Sequence, residues 1–232
     1  MSEPHSAADT AQKVDQKVKV WDWSIRVFHW SLPILIFALW YTRIDTDVHM
    51  IFAQILMGML VYRLIWGVIG TPYARFGHFL YGPQRFWQYL THFFSKNKPV
   101  YLSHNPMGGV MVLVLLGALS FQLITGLFTN DWIFPGPLSQ YVSSSTAQWM
   151  MDWHHRFFDY LLVLIGLHLT AILVYRIKGE GLVWAMLSGS KQVGAEGMAD
   201  AAKQPVVFPW WRFVVAVGLS LASVGLVFHY LA

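Results

Sequence analysis

The chain contains no cysteine. That excludes disulfides, iron–sulfur clusters and covalent c-type haem attachment, which needs C-x-x-C-H, and leaves histidine as the expected metal ligand. Charge is scarce too: Asp, Glu, Lys and Arg make up 12% of the 232 residues, against 56% hydrophobic. Soluble domains carry about 25% charged residues, so this composition implies an integral membrane protein. Carboxylates are missing where an intramembrane proton relay or metal transporter would use them. No Asp or Glu occurs within 107–128 or 208–231, and Asp152 and Asp159 sit at one end of their apolar run. The first twenty residues are polar and have no apolar h-region, so a short cytoplasmic tail is expected in place of a cleavable signal peptide.

What is abundant is length of apolar sequence. Five runs, about 24–42, 48–69, 107–128, 150–175 and 208–231, each reach about twenty residues, the length that spans a bilayer as a helix. They are continuous and not alternating, which favours helices over a barrel. The expected fold is all-α: a four-helix transmembrane domain over 21–178, a linker over 179–207 whose stretch 188–204 reads as mobile, and an additional helix over 208–232. Lys and Arg concentrate before the first run, between the second and third, and after the fourth, whereas the other side has only Arg43 and Arg156 beside several aspartates. The positive-inside rule then predicts a cytoplasmic amino terminus and a periplasmic carboxyl terminus. Pro83 to Phe94 reads as an interfacial amphipathic helix. The stretch 129–149, with Trp132, reads as an outer loop.

Histidine placement within these runs is the strongest functional signal. His154 and His168 are fourteen residues apart, which puts them within about 40° on one helix face and about 21 Å apart along it. His155 points about 140° away from His168, so helical phase selects His154. His29 lies near the inner surface in the first run and His49 at the outer end of the second. Depth therefore pairs His29 with His168 and His49 with His154. Two imidazole pairs at two depths form a pattern for two non-covalent haems with bis-histidine ligation.

Other residues are open to two readings each. His104 begins the stretch HNPMGG, in which Asn105 fits an N-cap and Pro106 the first helical position. The alternative gives His104 and Asn105 a haem-propionate or quinone contact. Arg63, fourteen residues after His49, either meets the propionates of the inner haem or snorkels to the surface. Trp30 and Trp153, each beside a candidate ligand, either join an interfacial aromatic belt or pack on haem. Gly58, Gly67, Gly117, Gly126 and Gly166 offer close approach of helices or of a macrocycle.

These motifs resemble the prokaryotic cytochrome b561 family. The matching features are R-V-F-H-W at 26–30, His49 followed by Arg63, W-G-V-I-G-T-P-Y-A-R-F at 66–76, H-N-P-M-G-G at 104–109, and His154 with His168. The match covers about 18–178; Ala53 departs from the glycine expected there, and the fifth run lies outside it. The resemblance implies a four-helix core with two b-type haems ligated by His29, His49, His154 and His168, in a bacterial inner membrane. It also implies electron transfer between the quinone pool and a periplasmic partner, either a c-type cytochrome or a redox subunit of a larger complex. The second function considered is superoxide oxidation at the outer surface with transfer to quinone, which a positive outer funnel would favour; the third is a structural subunit stabilised by haem. No nucleic-acid partner is expected, and no oligomeric state is assigned.

Overall fold

The computed structural model describes residues 16–93, 101–130, 135–193, 202 and 205–231. In chain order these form strand β1 (Gln16–Lys19), helices α1 (Trp23–Tyr41), α2 (Thr46–Ile69), α3 (Phe76–Phe79), α4 (Pro83–Thr91), α5 (Pro106–Leu127), α6 (Ser144–Ile177) and α7 (Leu182–Ser188), strand β2 (Ser190–Val193) and helix α8 (Trp210–Gly225). A π-helical turn, Leu226–Tyr230, extends α8. Among the described residues, five helices, α1, α2, α5, α6 and α8, are long and apolar enough to cross a membrane. The protein is an all-α, multi-pass membrane protein.

Each of the four bundle helices starts where a polar side chain takes up one of the amide protons that a helix start leaves without partners. The caps are Asp22 to Ile25 N at 3.0 Å, Asp45 to Val48 N at 3.3 Å, Asn105 to Gly108 N at 2.8 Å and Ser143 to Thr146 N at 3.2 Å. The last of these places the start of α6 before the apolar run. Residues 144–149, expected in the outer loop, are its first turns, and hydropathy missed them because Ser144, Ser145, Thr146 and Gln148 are polar. Trp132, also expected in that loop, lies outside the described residues.

Helix α1 packs on α2, α5 on α6, α2 on α5, and α2 also on α8. A central apolar cluster, including Phe28, Leu35, Leu60, Leu116, Leu119 and Leu161, fills the bundle between these pairs. The end where α1 begins is basic, with Arg26, Arg75, Arg85, Arg176, Lys178 and Lys191. The opposite end carries Arg43 and Arg156 alongside Asp45, Asp47, Asp152 and Asp159 and is called the acidic end.

The basic end is the more elaborately built. Buried Asp22, 1% exposed, accepts hydrogen bonds from Ser24 Oγ at 2.6 Å, Trp66 Nε1 at 3.1 Å and Thr71 Oγ1 at 2.6 Å in addition to its capping bond. Four donors satisfy a carboxylate that burial would otherwise penalise by several kcal/mol. The stretch expected as a linker, 179–207, begins with α7 and β2, and β2 pairs antiparallel with β1, Gln16 opposite Val193 and Lys19 opposite Ser190; most of the segment read as mobile, 194–201, 203 and 204, lies outside the described residues. Four residues from each of two polar segments satisfy one another's backbone groups, a long-range pairing that composition does not reveal.

Candidate haem sites

At the acidic end, His49 of α2 and His154 of α6 face one another with ring centroids 6.4 Å apart and planes at 81°. His49 Nδ1 donates to the Leu39 carbonyl at 3.0 Å, and His154 Nδ1 donates to the Gln122 carbonyl at 2.9 Å. A carbonyl oxygen only accepts, so Nδ1 carries the proton in both rings and Nε2 keeps its lone pair. Metal-ligating histidines are commonly oriented this way, through a hydrogen bond from the nitrogen that does not ligate. Gln122 Nε2 returns a bond to the His154 carbonyl at 2.8 Å. Gly126 makes room for the ring: a Cβ there would lie 2.7 Å from His154 Cε1.

At the basic end, His29 of α1 and His168 of α6 also stand 6.4 Å apart, with planes at 58°. Here the support differs. His29 Nδ1 is buried with no hydrogen-bond partner, and Pro33 inside α1 lacks the N–H that would bond the His29 carbonyl. Trp30 meets the His29 ring edge-on at 5.2 Å.

The two spacings fit a single question of geometry. Two imidazoles that bind one metal from opposite sides at about 2.0 Å, each with its ring centre about 1.2 Å behind the ligating nitrogen, stand about 6.4 Å apart. Both pairs meet that separation. Among the described residues no group of three or more His, Cys, Asp or Glu is gathered to hold an ion. His154, Leu161, His168 and Tyr175 recur every seven residues, so they form one stripe along α6. Leu161, 2% exposed, sits in the apolar cluster between the two pairs.

The other sequence candidates fall into place unevenly. Arg63 is 4% exposed, its Nη1 has no hydrogen-bond partner, and its guanidinium lies 4.8 Å from the Phe76 ring centre. His104 is partly buried between Trp21 and Phe79, at 4.8 and 4.7 Å. Burial first, then the nearby Arg63 charge, hold its imidazole well below the usual histidine range. Asn105 caps α5 and also donates from Nδ2 to Tyr175 Oη at 2.9 Å, so both ends of its amide are engaged. Trp153 packs edge-on against Phe121 at 6.0 Å and against Trp149 at 5.9 Å. His155 is exposed. Of the glycines, Gly67 lies against Phe76 and Gly58 faces Val224 of the α8 helix, while Gly117 and Gly166 face open space.

Gln122 was missed at the level of sequence. A lone amide within an apolar membrane helix is itself a signal, because lipid offers it no partner. The Leu39 carbonyl had no such signal.

A membrane helix bundle with a facing histidine pair at each end is an architecture suited to a membrane cytochrome of b type. The prokaryotic cytochrome b561 family model matches residues 20–189, and the chain belongs to that family. It is accordingly a membrane haem b electron-transfer protein. Helix α8 lies beyond the matched residues. Comparison with curated proteins and with solved structures finds no match.

Proposed function

We propose that the chain holds two haem b groups, one between His49 and His154 and one between His29 and His168, and carries electrons between the quinone pool and a periplasmic redox partner. The partner would be a c-type cytochrome or a subunit of an oxidoreductase complex. The observation that carries this reading is the presence of two imidazole pairs at one common spacing, 6.4 Å, on opposite ends of a single α6 stripe. A b-type haem ligated by two imidazoles supplies one-electron exchange with no coordination position left open to oxygen or substrate.

The rest is the work of the protein. The Leu39 and Gln122 carbonyls fix the acidic-end rings with Nε2 free. Buried Arg63 offers an unpartnered Nη1 to an anion and would hold a haem propionate at the basic end. Leu161 and its neighbours exclude water from the space between the pairs. His104 and Asn105, at the start of α5, are assigned to the quinone contact at the basic end, where the helix N-terminus favours a partly reduced, anionic ring. Positive charge gathered at that end supports a bacterial inner-membrane orientation with the amino terminus cytoplasmic and the carboxyl terminus periplasmic.

Pyridine haemochrome analysis of the purified protein should give close to two b-type haems per chain, and quinol should reduce them in stopped flow. One haem per chain would overturn the pairing. Rapid reduction by superoxide with no response to quinol would replace the quinone reading with the superoxide one.

A further inference from the structure

The basic-end histidine pair lacks the hydrogen bonds that orient the acidic-end pair, and its two helices, α1 and α6, share the central apolar cluster but are not among the closely packed helix pairs. Something else must hold them in register. The chain joins them through a latch: α6 leads through α7 into Gly189, whose carbonyl accepts from both Val20 N at 2.9 Å and Trp21 N at 3.0 Å, just before α1 begins. Arg26, three residues before His29, donates from its guanidinium to the Leu187 carbonyl at 2.5 Å. Beyond Gly189 the chain continues as β2 against β1, and Lys191 Nζ donates to the Tyr101 carbonyl at 2.8 Å.

Gly189 is special in two ways. Its φ of 79° lies in the left-handed region that glycine enters at no steric cost. A Cβ there would also stand 2.8 Å from the Trp21 carbonyl and 3.4 Å from the Arg26 guanidinium. Any side chain at 189 therefore pushes directly on the two residues that tie down the start of α1. We propose that Gly189 is a positioning residue for the His29–His168 pair, the hinge of a latch that sets the spacing of α1 and α6 at the basic end.

This inference depends on the reading of His29 and His168 as haem ligands, and the experiment separates the two. Wild-type protein is first titrated potentiometrically with optical and electron paramagnetic resonance readout. If it holds one haem only, the functional reading fails before the latch is tested. With two haems, Gly189→Ala should shift the midpoint potential and resonance position of one of them, or lower its occupancy, while the other is unchanged. The affected signal should be the one that His168→Ala removes. Gly179 is the control, since its φ of 85° carries the same backbone demand but its Cβ would meet nothing within 4 Å. Gly179→Ala should leave both signals in place. Lys17 and Gln192 are paired across the strands, and in this cysteine-free chain Lys17→Cys with Gln192→Cys, oxidised by diamide in the Gly189→Ala background, should restore the affected signal. The latch is overturned if Gly189→Ala changes neither haem, if it changes both alike, or if Gly179→Ala has the same effect.

Discussion

The two ends of the bundle present the same pair of imidazoles at the same 6.4 Å separation and hold them by different means. At the acidic end the support is local. Each ring is oriented by a carbonyl of a neighbouring helix, and Gly126 leaves room for one of them. At the basic end the rings have no such bonds, and the helices are tied instead by the buried Asp22 network, which binds α1 to α2, and by the β1–β2 latch. A ligand can thus be placed by hydrogen bonds to itself or by anchoring the backbone that carries it. The first fixes ring rotation and tautomer. The second fixes only the distance between helices, which leaves the ring freer to reorient.

The comparison can be broken most completely by removing a ligand. His154→Ala should reduce the haem content from two to about one per chain, with the remaining haem unaltered in potential, because the basic end does not use that ring. His155→Ala, at an exposed neighbour, should leave the content at two. Loss of both haems from His154→Ala would mean that the ends are not independent.

A smaller effect should come from the space beside the ligand. Gly126→Ala places a methyl group 2.7 Å from the present position of His154 Cε1, so the ring must move and its bond to the Gln122 carbonyl must lengthen. Loss of an orienting hydrogen bond at a metal ligand typically costs 10–100-fold in affinity. Haem release from the acidic end should therefore quicken by about tenfold or more, measured by transfer to an apo-globin, while the basic-end signal stays constant. Equal effects at both ends would argue that Gly126 acts through the whole bundle.

The mildest test uses pH at the basic end. His104 has its folded pKa depressed, by burial and then by Arg63, so it stays neutral in the fold while the unfolded chain takes up a proton below about 6.5. The sign follows: stability is fully present above that value and declines as pH falls. His104→Gln should remove up to one proton from that linkage, flattening the dependence of unfolding free energy on pH between 6.5 and 5 by about 1 kcal/mol per unit. An unchanged slope of thermal stability would mean that His104 titrates alike in both states.

The five spans are legible in the chain alone, since apolar length is a property that no tertiary contact can alter, and the observed helices begin and end within a few residues of the apolar runs except at α6. Helical phase likewise determined that His154 and His168 share a face while His155 does not. The caps at Asn105 and Ser143 are local too, and Asn105 with Pro106 was legible as such. How the rings are held depends instead on packing between distant segments. The Leu39 and Gln122 carbonyls are backbone atoms that every residue possesses, so nothing in their side chains marks them as partners of His49 and His154. The Asp22 network joins residues as far as 49 positions apart, and the β1–β2 latch joins segments more than 160 apart. Such pairings depend on where separate helices come to rest against one another. The acidic-end pair took its orientation from that packing, and the basic-end pair took its spacing from the closure of the chain's two polar segments on each other.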